Sequence, residues 1–319
     1  MSANARSLPD PFEPYLQAWL NARPLEQQDV PELSHYTSAE GLLGITRGNC
    51  LWATSALYSN DRSEVLYAQS VATEVFTRLQ AGAGPDSDQR EFLSVTRRIL
   101  AEGEASEADA YVTSFCEQTD LLSQWRAYGK HGGFEIRFKG LVEVNPLLGS
   151  EGLQLSCPII GRRVLRRVEY VKERQRESFQ RIMEAGLRVV TDLSNLHTPG
   201  HVSYVAAVAI LEGLEWLYTT KHEGFAEERE WRVIAFPKRA AGLAGAAYET
   251  YQDLRFRFGR YCVVPYVELS PSSGRLPISS VICGPSSHHI LTRRAVELLL
   301  ASQGFENVAV QNSKVPFAE

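Results

Sequence analysis

The residues with the clearest chemical potential form a charged run, Glu227-Glu228-Arg229-Glu230-Trp231-Arg232, which leads directly into Val233-Ile234-Ala235-Phe236. The second segment predicts a buried strand, because β-branched, small and aromatic residues in succession suit a sheet covered on both faces. Charged side chains at the entrance of such a strand are costly unless they form ion pairs or take part in chemistry. Glu228 and Glu230 are therefore candidate catalytic or binding carboxylates.

The same carboxylates also allow a purely structural interpretation. Arg229, Arg232 and Lys221 lie close to them in the chain. Acidic and basic groups of this kind form buried ion networks that resemble active sites. The sequence alone leaves both interpretations open.

Composition narrows the class of protein. The 319 residues are 44% hydrophobic and 22% charged, as in an ordinary globular chain, and the net charge of −5 gives no bias toward nucleic acid or anionic lipid. The five cysteines are scattered without a CxxC pair, so we expect free thiols and no metal. Because no stretch resembles a membrane span or a signal peptide, we expect a cytoplasmic protein without a membrane partner.

Hydrophobic periodicity predicts an α+β fold. We expect a proline-rich, extended and partly helical leader over residues 1–32, followed by one mixed domain over 33–319. This domain has a central, mostly antiparallel sheet and a helical insertion at about 173–217. Ser38 is predicted to cap the first helix. The predicted strands are 33–37, 51–54, 110–116, 133–138, one or two within 153–172, 229–236, 259–267, 278–283 and 308–311.

Seven short motifs follow one another along the chain. They are His35-Tyr36-Thr37-Ser38, Asn60-Asp61-Arg62-Ser63-Glu64, Thr113-Ser114-Phe115-Cys116, the run from Leu122 to Gly129, Lys221 to Phe225, Glu228 to Arg232, and Cys283-Gly284-Pro285. Together they resemble the DUF2971 family of bacterial proteins, over roughly residues 33–318. That family is named for its lack of a known function, so its name implies no reaction. Any activity has to be inferred from the types and spacing of the residues.

Three of the motifs are also similar, in the same chain order, to the three site regions of ADP-ribosyltransferases. His35-Tyr36-Thr37 resembles the first region, Tyr111-Val112-Thr113-Ser114 the second, and Glu228-Arg229-Glu230 the late Glu-x-Glu. The resemblance implies a split sheet of the ADP-ribosyltransferase type. It also implies an enzyme that cleaves the nicotinamide–ribose bond of NAD and transfers ADP-ribose to an unidentified protein or nucleic acid, as a toxin or defence effector.

The resemblance implies three catalytic residues. Glu230 would hold a ribose hydroxyl and stabilise the positive charge that develops on the ring, as in glycoside hydrolysis. Glu228, two residues away on the same strand face, would position or deprotonate the acceptor. His35 would hydrogen-bond a ribose hydroxyl.

A second set of residues would bind NAD. Its members are Tyr36, Thr37, Asn60, Asp61, Ser114, Trp125, Arg126, Tyr128 and Lys221. Thr37 or Ser114 would orient the ribose or brace the glutamate. The aromatic members would stack on nicotinamide or adenine, and Arg126 or Lys221 would face the pyrophosphate. Simpler interpretations are a turn at Asn60-Asp61 and core packing of Trp125 and Tyr128.

Two other functions compete with the transferase. A metal-dependent hydrolase or nuclease would use Asp61, Glu64, Glu228 and Glu230 with Mg²⁺. A non-enzymatic regulatory or interaction module would use the same charged motifs only as a structural network. The oligomeric state is not readable from the sequence.

Overall fold

The computed structural model describes residues 19, 29–58, 62–82, 87–103, 110–128, 132–141, 155–157, 160–195, 200–237, 253–259 and 262–316. Its contacts divide the chain into two compact units. The helical unit comprises Met1–Gln27, Ser63–Glu107 and Glu169–Thr220, and the sheet unit comprises Gln28–Arg62, Ala108–Val168 and Lys221–Glu319. The helical unit therefore draws on more of the chain than the predicted insertion at about 173–217. The predicted leader lies almost entirely outside the described residues.

The described residues form eleven strands and seven α-helices. The strands are β1 Leu33–Thr37, β2 Leu51–Ser55, β3 Tyr111–Cys116, β4 Phe134–Phe138, β5 Leu155–Ser156, β6 Ile160–Arg167, β7 Glu230–Pro237, β8 Arg255–Phe258, β9 Val263–Pro271, β10 Ile278–Cys283 and β11 Ala309–Asn312. The helices are α1 Ala39–Gly48, α2 Arg62–Gly82, α3 Ser87–Leu100, α4 Leu122–Tyr128, α5 Lys172–Asn195, α6 His201–Tyr218 and α7 His289–Ser302, with 3₁₀ turns at Ala56–Tyr58 and Glu223–Glu228.

The strands form one mixed sheet, which confirms the predicted α+β class. Its main path runs β11-β10-β4-β1-β3-β2-β9-β5, while β7 pairs with β3 and β6, and β8 pairs with β9. Every named pair is antiparallel except β10 with β11.

The sheet divides at β3. The whole length of β3 pairs with β7, from Tyr111 opposite Ala235 to Cys116 opposite Glu230. Two strands share the other edge, because β1 pairs only at Cys116 and β2 only at residues 111–112. Residues 113–115 therefore lie at a gap between β1 and β2, which we call the split.

Two side chains bridge the split in place of a main-chain ladder. The Nδ1 atom of His35 on β1 lies 2.9 Å from the carbonyl oxygen of Ser114 on β3. The Thr113 hydroxyl donates to the carbonyl of Trp52 on β2, at 2.8 Å. The carbonyl groups of Ser114 and Trp52, which a neighbouring strand would otherwise pair, thus accept hydrogen bonds from side chains. Buried backbone groups need such partners.

Alternation along the strands separates the core face of β3 and β7 from a polar face. Tyr111, Phe115 and Trp231 are each about 2% exposed and belong to the main hydrophobic core of the sheet unit. On the opposite face β3 presents Ser114 and Cys116, and β7 presents Glu230 and Arg232. The polar face carries the candidate site.

Helix α1 follows β1 through the predicted cap. The Ser38 side chain accepts a hydrogen bond from the Gly41 amide at 3.2 Å, which confirms the N-cap. The helix ends at Asn49, whose left-handed backbone has φ of 49°. The predicted helical signal at 173–217 resolves into α5 and α6, which are separate helices.

Aromatic packing and close helix contact hold the helical unit together. The Phe179 ring lies 5.4 Å from Phe76 and 4.4 Å from Trp216, measured between centroids. Gly186 on α5 faces the fully buried Phe92 of α3, and a Cβ atom built on Gly186 would lie 2.2 Å from the Phe92 ring. Glycine at this position therefore allows the two helices to approach.

Replacing Gly186 with alanine tests this contact. Alanine ordinarily favours a helix over glycine by about 1 kcal/mol. Here the clash with Phe92 should instead lower the free energy of unfolding by about 1–3 kcal/mol. The matched control is Gly82→Ala at the end of α2, where a Cβ meets no atom within 4 Å. Urea unfolding of both variants measures the difference, and equal stabilities would contradict the packing argument.

Candidate functional site

The polar face places a buried ion cluster beside the split. Glu230 begins β7 opposite Cys116, and Arg232 lies two residues further on, opposite Ser114. Both side chains leave the sheet on the same side because strand residues alternate. Lys221 and Glu228 reach the cluster from the segment that precedes the strand. We call these four residues the ion cluster.

Glu230 is the centre of the ion cluster and is only 6% exposed. Arg232 donates to both of its carboxylate oxygens, from Nε and Nη2, each at 2.7 Å. Lys221 Nζ lies 3.3 Å from Oε2. This fork-to-fork arrangement is the strongest and most directional form of ion pair.

Electrostatics keep Glu230 ionised. Burial by itself opposes the charged form, but Arg232, Lys221 and a hydrogen bond from the Ser114 side chain outweigh it, and the pKa of Glu230 falls to about 2. Glu230 is therefore a permanent carboxylate at neutral pH.

Lys221 links the two glutamates. Its ammonium lies 2.6 Å from Oε2 of Glu228 and 4.8 Å from the centroid of the Phe225 ring. Its side chain is 6% exposed, whereas that of Glu228 is 27% exposed. Glu228 thus presents part of its surface outward while Glu230 is enclosed.

The structure corrects the expected placement of Glu228. It lies at the end of the 3₁₀ turn Glu223–Glu228 and not on a strand. Arg229 then adopts a left-handed backbone with φ of 41°, and β7 begins only at Glu230. Strand alternation therefore does not bring the two carboxylates together, and their common partner Lys221 does. The exposed Arg229 makes no ion pair with any residue in the described part of the chain.

His35 lies in the split and is linked to the ion cluster through Ser114. A carbonyl oxygen can only accept, so Nδ1 donates to Ser114 and the neutral ring keeps a lone pair on Nε2. Burial lowers the pKa of His35, which favours this neutral form. Ser34 pairs with Cys116, so alternation directs His35 away from the face that carries Glu230. The sequence predicts that His35 and Glu230 bind the same ribose. This strand pairing instead places their side chains on opposite faces of the sheet.

Tyr36 and Trp125 are packing residues and do not form an open stacking surface. They are 7% and 4% exposed, and their rings meet edge to face at 4.9 Å. The Tyr36 hydroxyl accepts from the Leu121 amide at 2.9 Å, and Trp125 Nε1 donates to Asp120 at 2.8 Å. The interpretation of Trp125 as a core anchor agrees with this burial.

Tyr128 behaves differently, because it is 51% exposed at the end of α4. Burial of its hydroxyl end, together with the charges of Glu230 and Glu228, raises the pKa of Tyr128. It is therefore an accessible aromatic ring within electrostatic reach of the ion cluster, and the alternative of core packing is wrong for this residue. Arg126, two residues earlier in the same helix, is exposed and has no ion-pair partner among the described residues.

The remaining predicted binding residues are Thr37, Asn60 and Asp61. Thr37 is partly exposed at the end of β1, where its Oγ1 would lie 1.9 Å from a Cβ atom built on Gly41. Asn60 and Asp61 lie outside the described residues. Within the described ranges, no group of three or more His, Cys, Asp or Glu side chains has the arrangement of a metal site.

One buried carboxylate of the sheet unit was not predicted. Glu135 on β4 is fully buried and accepts hydrogen bonds from the Ser34 hydroxyl and from the Asp120 amide, each at 2.7 Å. These contacts tie the loop before α4 to β1 and β4. The available signal was a single acidic residue within the otherwise apolar start of Phe134-Glu135-Ile136.

The fold and site define an α+β protein with a divided sheet and a buried ion cluster beside the division. Residues 124–233, about a third of the chain, match DUF2971, a protein family of unknown function. Over these residues, the match supports the family predicted from the motifs. It contains the ion cluster but neither β1 nor the Cys283 motif.

No curated protein and no solved structure matches the chain. The resemblance to ADP-ribosyltransferases stays a prediction from motifs. None of the described helices is both long and apolar enough to cross a bilayer.

Removing the guanidinium of Arg232 tests the core of the ion cluster. Arg232→Gln leaves Glu230 buried without its bidentate partner and should lower the free energy of unfolding by about 3 kcal/mol. Arg229→Gln, three residues earlier and exposed, should change it by less than about 0.5 kcal/mol. Denaturant unfolding of the two variants gives the comparison. Equal effects would contradict the assigned pairing.

The low pKa of Glu230 predicts a specific acid sensitivity. Its pKa in the folded protein lies below the unfolded value, so its stabilising contribution is complete above about pH 4.5 and disappears as pH falls toward about 2. Over that window the stability difference between wild type and Glu230→Gln should shrink by on the order of 3 kcal/mol. Urea unfolding at a series of pH values measures the difference. A difference that stays constant over the window would refute the assigned pKa.

Proposed function

We propose that the sheet unit is an ADP-ribosyltransferase-like enzyme that cleaves the nicotinamide–ribose bond of NAD. The observation that carries the proposal is the junction at Ser114. Its side chain hydrogen-bonds Glu230, and its carbonyl accepts from His35. The three motif regions that resemble the transferase site are thus connected through one residue at the split.

The charges of the ion cluster suit the reaction. Positive charge develops on the ribose as the carbon–nitrogen bond breaks, and a fixed carboxylate stabilises that charge. Glu230 remains ionised, but Arg232 occupies both of its oxygens, so we assign it to positioning. Glu228, which is partly exposed and held by Lys221, is the carboxylate that would contact the ribose hydroxyl.

Other residues would bind the rest of the substrate. His35 lies on the opposite sheet face from Glu230, so it would act by holding the Ser114 carbonyl, and the exposed ring of Tyr128 would stack on nicotinamide or adenine. Arg126 would face the pyrophosphate.

The reaction ends when the acceptor replaces nicotinamide. The nicotinamide–ribose bond breaks, a bond forms between the acceptor nucleophile and C1′ of the ribose, and the acceptor releases a proton. We propose that the acceptor is a protein or a nucleic acid. We further propose that the enzyme acts in the cytoplasm, where NAD is available, as a toxin or defence effector.

A second candidate function is a non-enzymatic regulatory or interaction module. The enclosure of Glu230 between Arg232 and Lys221 favours it, because structural ion networks have the same arrangement. The metal-dependent alternative gains no comparable support, because Lys221 already neutralises Glu228, and both cations neutralise Glu230.

Nicotinamide release separates the two candidates. Wild type and the control Glu227→Gln, which changes an exposed neighbouring glutamate, should release nicotinamide from millimolar NAD at equal rates. Glu228→Gln should lower the rate by roughly 100-fold or more, as expected for loss of a catalytic carboxylate, with little change in melting temperature. Glu230→Gln should lower both the rate and the melting temperature.

Thermal melting with NAD completes the test. NAD should raise the melting temperature of wild type and of Glu228→Gln, since binding stabilises the folded state. The absence of both a shift and nicotinamide release in wild type would reject the enzyme and favour the module. Full turnover by Glu228→Gln would reject the role assigned to that residue.

A further inference from the structure

A pocket of the sheet unit lies where α1 and α7 end, next to the turn between β9 and β10. It is an open surface concavity with a volume of ≈ 790 Å³. It is lined by Arg47, Asn49, Gly274, Arg275, Ala301, Ser302, Gln303 and Gly304. None of these described lining residues is acidic, and none belongs to the candidate NAD site.

Two guanidinium groups face this pocket without a carboxylate partner. Arg47 lies in the last turn of α1, and Arg275 lies in the turn that precedes β10. Neither forms an ion pair with any residue that the structure describes. Unpaired arginines that converge on one concavity are a preferred arrangement for binding anions.

The position of Arg275 is set by its neighbours. Its guanidinium lies 4.9 Å from the centroid of the Phe305 ring, in a cation–π contact. Gly304 has a φ of 73°, and a Cβ atom there would lie 2.9 Å from Arg275 Nη2. Glycine therefore both allows the turn after α7 and leaves room for the guanidinium.

Asn49, another residue of the pocket lining, fixes the turn that carries Arg275. Its side-chain amide donates to the Gly274 carbonyl at 3.1 Å, and its side-chain oxygen accepts from the Leu276 amide at 2.9 Å. Both ends of one amide thus clamp the turn that carries Arg275. A site held in this way loses little conformational freedom when a ligand binds.

Charge balance argues for an anionic ligand. The carboxyl ends of α1 and α7 each contribute roughly −0.5 of an elementary charge. Arg47 and Arg275 together contribute two positive charges, so a net charge of about +1 remains. The negative partial charges at the two helix ends therefore balance only part of the positive charge of Arg47 and Arg275.

We propose that this pocket binds the phosphate group of a small phosphorylated molecule. A phosphate monoester carries about −1.5 to −2 charges at neutral pH, which suits two guanidinium groups better than a single carboxylate does. The polar side chains of Ser302 and Gln303 lie beside the arginines and would hydrogen-bond the remainder of the ligand. The site is independent of the proposed NAD chemistry.

Calorimetric titration with inorganic pyrophosphate tests the proposal. Wild type should bind it, and Arg275→Gln and Arg47→Gln should each weaken binding roughly tenfold or more, because each removes charge-assisted hydrogen bonds. The control Arg294→Gln changes an exposed arginine of α7 outside the pocket and should leave the affinity unchanged. Arg126→Gln, which removes the cation assigned to the pyrophosphate of NAD, should also bind as wild type does, which separates this site from the NAD site.

Three outcomes would overturn the proposal. They are no binding by wild type at 10 mM pyrophosphate, equal weakening by Arg294→Gln, and tighter binding of a short single-stranded RNA than of pyrophosphate, which would assign the pocket to nucleic acid. Melting of each variant without ligand checks its folding. If Arg275→Gln does not fold, Arg47→Gln decides, because Arg47 is an exposed residue at a helix end.

Discussion

The sheet unit depends on the pairing of β3, which has two edges and three partner strands. β7 occupies one edge completely, so β1 and β2 must share the other and diverge. The split follows directly from this constraint. Backbone groups left without a strand partner then need side chains, and His35 and Thr113 supply them. A residue that bridges two diverging strands is rigidly placed, which is also what a binding residue requires.

The ion cluster shows how charged groups are tolerated at the mouth of a buried strand. Removing Glu230 from water is unfavourable, and the bidentate contact with Arg232 offsets that cost. Such a cluster specifies one geometry strongly even where it adds little net stability. That property serves an interaction module as well as an enzyme, so the enzyme proposal depends on the junction at Ser114, with the partial exposure of Glu228 and Tyr128 in support.

The candidate NAD site and the Arg47–Arg275 pocket use charge in different ways. In the first, cations and carboxylates are paired, and the neutral cluster orders the groups around it. In the second, two arginines lack carboxylate partners among the described residues, and packing against Phe305 and Gly304 sets the position of one of them. The first arrangement suits stabilisation of charge that develops during a reaction, and the second suits binding of a ligand that is already charged.

Local sequence determined the features that arise from nearby residues. Periodicity predicted most of the strands and helices, a serine before an apolar run predicted the cap at Ser38, and the order of motifs predicted the DUF2971 match. Only the tertiary structure decided which polar and charged side chains contact one another. Glu135 contacts Ser34 across 101 residues, and the positive φ of Arg229 turns this arginine away while Arg232 binds Glu230. Such choices depend on strand register and local backbone conformation, and neither is encoded in spacing along the chain.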